Sequence, residues 1–229
     1  MKVCPNTKMK NPNLKLIIIM RKSVKFTVLA FSALLFLAGC SQKPKAIELF
    51  NGKNLDGWIG YLDDSSLDTG KEFTVNNGVI HLSGKLGYIH TEKTYSNYKL
   101  EVEWRWPEKA TNSGIFQRVQ PEYQALPECY ECQLMAGNAG DLYAMAGCST
   151  AETRASGTNG MKKLLPSNEK PVGEWNKAEI TCDGGNITIY INGELQNKAT
   201  GASLAEGYVG LQSEGEAVEF RNVRLTPIE

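Results

Sequence analysis

Histidine is almost missing from this 229-residue chain: His81 and His90 are the only two. Neither has a second histidine at ligand spacing, so both read as structural residues and no metal centre is expected. Amphipathic helical periodicity, internal repeats and low-complexity tracts are also lacking, which points away from helical and solenoid architectures. No basic stripe is present either. Lys+Arg and Asp+Glu balance at 25 each, but residues 1–39 hold seven of the basic residues and no acidic one, so the chain from Cys40 onward carries −7. An acidic domain of this kind is a poor partner for nucleic acid. Asp63, Asp64 and Asp68 lack the spacing of a helical calcium loop and read as a solvated turn.

What is present begins with an export signal. Residues 20–40 read MRKSVKFTVLAFSALLFLAGC: a basic start, an apolar run from Phe26 to Leu37, then small residues before a cysteine. The run is too short for a good membrane span. Its ending, Leu37-Ala38-Gly39-Cys40, resembles a lipobox, with Met20 as the expected start and Cys40 as the lipidated mature N-terminus. Residues 1–40 are thus expected to be a signal peptide, 41–46 a tether and 47–229 a single domain held at the bacterial envelope. The expected setting is the periplasmic face of the outer membrane, reached through the lipid.

The rest alternates in short segments broken by turn residues. FTVNNGVIHLS (73–83) and ITIYINGELQ (187–196) each carry Asn-Gly between strand-like runs, and Asp183-Gly184-Gly185-Asn186 separates another pair. Further strands are expected in YKLEVEWRW (98–106), GIFQRV (114–119), CYECQLM (129–135), YVGLQS (208–213) and AVEFRNVRL (217–225). About ten strands in one domain predict an all-β, two-sheet antiparallel sandwich of jelly-roll type. Residues 136–174 break the pattern with several glycines and prolines and read as a long loop beside the middle strands.

Side-chain alternation sorts those middle strands. Leu100, Val102, Trp104 and Trp106 share one face and belong to the core, leaving Glu101, Glu103 and Arg105 on the other. In CYECQLM, Cys129, Glu131, Gln133 and Met135 oppose Tyr130, Cys132 and Leu134. Cys129 and Cys132 therefore point to opposite sides, which rules out a shared metal or a local disulfide within the strand. Arg118 shares a face with Phe116. If the three strands are neighbours, Glu101, Glu103, Arg105, Arg118, Glu131 and Gln133 gather on one surface. Such a surface is either an acid/base and polyhydroxyl-binding cleft or a solvated face with cross-strand ion pairs.

Seven segments, in order, resemble the 3-keto-disaccharide hydrolase domain family: LFNGKNLDGW (49–58), TEKTYSNYKLEVEWRW (91–106), NSGIFQR (112–118), YECQL (130–134), GEWNKAEI (173–180), IYINGEL (189–195) and GLQSEGEAVEFRNVRL (210–225). The resemblance implies a concanavalin-like jelly roll and a glycoside already oxidised at C3. Base removal of the C2 proton, elimination of the C1 substituent and hydration would then complete a net hydrolysis without a cofactor.

Carried onto these residues, the resemblance implies Glu131 as base, with Glu103 as the second choice. Arg118 and Arg105 would stabilise the enolate or bind hydroxyls, Gln133 and Asn112 would orient the ring, and Tyr143 would act at the leaving oxygen. Glu101, Tyr123 and Glu214 complete the expected binding set, Glu214 standing where many members carry a histidine. Cys132 and Cys182 read as small core residues. Cys129 and Cys148, both toward the cleft or its bordering loop, are expected to form a disulfide that pins the loop. The alternative from another class is a non-catalytic carbohydrate-binding lipoprotein, since fold alone does not fix function.

Overall fold

The computed structural model describes residues 44–120 and 124–229. The expected signal segment with Cys40, and Tyr123, lie outside the described residues. In chain order the strands are β1 (Ile47–Glu48), β2 (Trp58–Leu62), β3 (Phe73–Asn76), β4 (Val79–Leu82) and β5 (Gly87–Thr91). The central ones are β6 (Tyr98–Arg105), β7 (Gly114–Val119), β8 (Cys129–Gln133), β9 (Leu142–Met145) and β10 (Gly160–Met161). The last are β11 (Asn176–Asp183), β12 (Asn186–Ile191), β13 (Glu194–Ala199), β14 (Tyr208–Ser213) and β15 (Val218–Pro227). Among the described residues two short helices, α1 (Thr69–Glu72) and α2 (Ala151–Ser156), sit between strands. Among the described residues no helix is long and apolar enough to cross a membrane.

The strands form two antiparallel sheets. One runs β13-β12-β11-β6-β15-β4-β3, with β1 added on β15; the other runs β10-β9-β8-β7-β14-β5-β2. This is the expected two-sheet sandwich. Its tight hairpins are where the Asn-Gly pairs placed them. Asn77 and Gly78 have φ of 50° and 79°, and Asn192 and Gly193 have 48° and 84°. Left-handed backbone at both turn positions matches the twist of the flanking strands, and asparagine and glycine tolerate it best.

The core lies between the sheets. Tyr98, Leu100, Val102 and Trp104 of β6 are fully buried, while Lys99, Glu101, Glu103 and Arg105 between them are half-buried on the outer face. Trp175 lies under the guanidinium groups of Arg105 and Arg221, 4.6 and 4.0 Å from its ring centre.

Two expectations about the middle strands do not hold. β6 belongs to the first sheet and β7 and β8 to the second, so they are not neighbours. The polar face of β6 is satisfied locally: Lys177 donates to Glu101 (2.6 Å), Arg221 to Glu103 (2.7 Å) and Arg105 to Glu219 (2.6 Å). Segment 136–174 is not one loop either, because β9 and β10 extend the second sheet from within it and α2 lies between them. Thr150 caps α2 reciprocally with Thr153, and Gly157 ends it at φ 71°.

Arg118 departs from simple alternation. Val119 pairs with Tyr208 while Phe116 pairs with Gly210, so β7 carries one extra residue there, and Arg118 has φ 55°. This bulge keeps Phe116 and Val119 on one face and turns the arginine away from it. Fully buried, its guanidinium donates to the backbone carbonyls of Leu204 (2.6 Å), Ser96 (2.8 Å) and Gly184 (2.9 Å). It ties three connections together at one end of the sandwich. Arg118→Met leaves those carbonyls without their charged donor and is expected to lower stability by about 3 kcal/mol. Urea unfolding measures the loss, and a variant within about 1 kcal/mol of wild type would show the tie to be dispensable.

Candidate active site

The site lies on the outer face of the second sheet. Register sets Glu131 of β8 opposite Phe116 of β7 and Tyr143 of β9, and sets Gln133 opposite Gly114. The inward positions of β8 carry Tyr130 and Cys132, both in the core. Beyond β7, Gln212 of β14 shares the outer face, and Glu214 bridges to Asn112 just after that strand. Asn112, Glu131, Gln133, Tyr143, Gln212 and Glu214 line a cavity of about 540 Å³. Leu126, Met145, Ala146 and Asn159 form its remaining walls.

Glu131 is only 5% exposed, and its Oε1 has no protein donor. The carboxyl lies over Gly114, where a Cβ would overlap Oε1. Glycine is the residue that leaves the carboxyl its place. Burial, and secondarily the Glu214 carboxylate, push the Glu131 pKa up to about 8. At neutral pH burial therefore favours the protonated carboxyl.

The neighbours are polarised in complementary ways. Gln133 Oε1 accepts the backbone N–H groups of Leu134 (2.9 Å) and Met135 (2.8 Å), which leaves its NH₂ for the cavity. Gln212 Nε2 donates to Glu214 Oε2 (2.9 Å). Gln212 Oε1 and Asn112 Oδ1 are buried without a protein donor, as is Glu131 Oε1. Three such acceptors from separate segments converge on one cavity. Each costs about 1–3 kcal/mol when left unsatisfied. A ligand rich in hydroxyl donors is what such a set accepts.

The structure thus brings together Glu131, Gln133, Tyr143, Asn112 and Glu214 of the expected site residues. It separates Glu101, Glu103 and Arg105, which sit on the outer face of the opposite sheet, and Arg118, which the bulge turns toward backbone carbonyls. Among the described residues the cavity lining holds no Arg or Lys, so the expected cationic partner for an enolate is not supplied by these side chains. Gln212 was missed, although its alternation with Glu214 in GLQSEG would have placed both on one face. Leu126, Met145 and Ala146 carry no sequence signal that separates them from ordinary core or loop residues.

The disulfide is also corrected. Cys129 and Cys148 are free thiols. Cys129 packs on the outer face with Tyr88, Phe116 and Met145, whereas Cys148 packs in the core between the sheets. The Cys148 thiol donates to the Cys129 carbonyl (3.0 Å), so the sulfurs lie in different environments. Burial pushes the Cys148 thiol up to about 11, leaving it protonated.

Fold and cavity define a two-sheet sandwich of jelly-roll type with a polar cavity on one outer face. Residues 45–226 match the 3-keto-alpha-glucoside-1,2-lyase-like domain, and the chain belongs to that family. It is 28% identical over 238 residues to the 3-keto-disaccharide hydrolase of Bacteroides thetaiotaomicron, covering 80% of this chain and 78% of that protein. Among solved structures, a Parabacteroides distasonis protein assigned as a glycosyl hydrolase aligns with TM-score 0.60 at 21% identity, over 80% of this chain and 94% of its own. A Bacillus licheniformis β-glucanase aligns with TM-score 0.53 at 14% identity, over 82% of this chain and 100% of its own. At these identities the structural likeness establishes the fold alone.

The Glu131 environment has a measurable consequence for stability. Its folded pKa of about 8 lies above the ordinary value of 4.5, so its contribution is fully favourable below pH 4.5 and is lost as pH rises through 8. Glu131→Gln is expected to melt with wild type at acid pH and above it at pH 8–9, by roughly 2–4 °C for each kcal/mol relieved. Parallel melting curves across that window would show that the carboxyl ionises without penalty.

Proposed function

We propose that the chain cleaves 3-keto-glycosides by elimination of the C1 substituent followed by hydration. The observation that carries this reading is the convergence in one cavity of the buried Glu131 carboxyl, the Glu214 carboxylate and two amide oxygens, Asn112 Oδ1 and Gln212 Oε1, without a protein donor. A ketone at C3 acidifies the C2 proton, so departure of the C1 oxygen needs a proton acceptor at C2 and a proton donor at the leaving oxygen. Glu131, holding its proton at neutral pH, suits the donor role better than the base role that the family resemblance implies.

Gln133 offers its NH₂ to the C3 oxygen, where negative charge develops in the enolate, a neutral version of oxyanion stabilisation. Asn112 Oδ1 and Gln212 Oε1 accept from ring hydroxyls, and Tyr143, across the register from Glu131, borders the leaving oxygen. Export and lipid attachment at Cys40 would present this chemistry at the cell envelope.

The test offers the soluble domain a panel of 3-keto-glycosides and their unoxidised parents, with products read by mass spectrometry. Turnover is expected only for the keto compounds, falling by on the order of 10²–10⁴-fold in Glu131→Ala. Gly114→Ala, which intrudes on the carboxyl's space, is expected to lose on the order of 10²-fold through displacement alone. Binding of unmodified sugars without cleavage of any keto compound would replace this reading with a carbohydrate-binding one.

A further inference from the structure

We propose that Glu214 takes the C2 proton, so that Glu131 and Glu214 form a divided pair, one the proton acceptor and the other the proton donor, across a single cavity. The assignment rests on the 3-keto-glycoside reading and allocates its proton transfers. Both carboxyls line the cavity but reach it from different segments, Glu131 from within β8 and Glu214 from just past the end of β14. Their surroundings differ in the way an acid and a base require.

Glu131 is nearly closed from solvent, lies over Gly114 and receives no donor on Oε1. Glu214 is only half-buried, and the Gln212 amide donates to its Oε2. That bond holds one oxygen in place and leaves Oε1 for a substrate proton. Other groups facing Glu131 are Tyr143 from β9, Cys129 on its own strand and the neutral Gln133 and Asn112. Among the described lining residues no Lys, Arg or His competes for the acceptor role. Gln212 thus holds Glu214 through its Nε2 while its Oε1 still faces the cavity.

The sequence of steps balances. A Glu214 oxygen removes the C2 proton, and the C–H electron pair becomes the C2=C3 bond of an enolate. The enolate re-forms the C3 carbonyl, its electrons make the C1=C2 bond, the C1–O bond breaks, and the departing oxygen takes the Glu131 proton. Water then adds at C1 and gives a proton to the Glu131 carboxylate, while Glu214 returns its proton to C2. Both carboxyls end as they began, and 3-keto-glycoside plus water has become alcohol plus 3-keto sugar.

The two roles separate in deuterium oxide. Exchange at C2 of methyl 3-keto-glucoside needs the acceptor and not the donor, whereas loss of methanol needs both. A 4-nitrophenyl leaving group, by contrast, departs without a proton. Glu214→Gln is expected to lose exchange and cleavage of both substrates by on the order of 10²-fold or more, with an unchanged melting temperature. Glu131→Gln is expected to keep exchange and 4-nitrophenyl release within about tenfold of wild type while losing methanol release. Wild-type exchange rates in Glu214→Gln, or equal loss of exchange in both variants, would overturn the assignment. A wild-type protein that neither exchanges nor cleaves any keto substrate would instead overturn the reading beneath it, and the assignment with it.

Discussion

A strand in a two-layer sandwich has only one face left after the core has taken the other, and the rest of this molecule follows from that constraint. Alternation commits Tyr130 and Cys132 of β8 to the core, so Glu131 and Gln133 must face outward. Outward on the second sheet still does not mean solvated. Phe116, Val119, Tyr88 and Met145 form a second apolar cluster on that face, and Glu131 is buried next to it. The same strand that helps close the core thus carries a carboxyl into a low-dielectric site, which is the condition that keeps it protonated.

Local signals were legible because they depend on local physics. The Asn-Gly turns, the alternation of β6 and the outward placement of Glu131 and Gln133 all follow from backbone conformation and a period of two. The lateral order of strands was not legible in the same way. Nothing in YKLEVEWRW or GIFQRV says that the chain changes sheets between them, so Glu101, Glu103 and Arg105 were gathered with residues from the other layer. Arg118 was misplaced for a different reason. A one-residue bulge inverts the alternation after it, and a non-glycine residue at φ 55° carries no composition signal. The Cys129–Cys148 pairing failed because both positions border the same region while packing on opposite sides of the sheet.

The two outer faces also differ in how they hold charge. On the first sheet the acidic groups are matched by lysine or arginine in the neighbouring strands, as with Glu101–Lys177 and Glu103–Arg221. Exposed pairs of this kind contribute little and are screened by salt. On the second sheet Glu131 has no such partner, and the mismatch is retained at a cost to stability. Polar groups that the fold leaves dissatisfied in a cavity are the ones positioned to act on something that enters it.

Among the described lining residues no guanidinium or ammonium group reaches the cavity, which would set a filter that operates before any bond is broken. The Glu214 carboxylate and a ring of amides leave the pocket with negative charge that no Lys or Arg among the described lining residues offsets. A sugar bearing a carboxylate, sulfate or phosphate at the positions that enter would meet like charge in a poorly screened space, whereas a neutral polyol meets only hydrogen-bonding groups. Under the proposed reading the pocket would therefore sort incoming molecules by charge as well as by shape, its selectivity coming as much from repulsion as from contact.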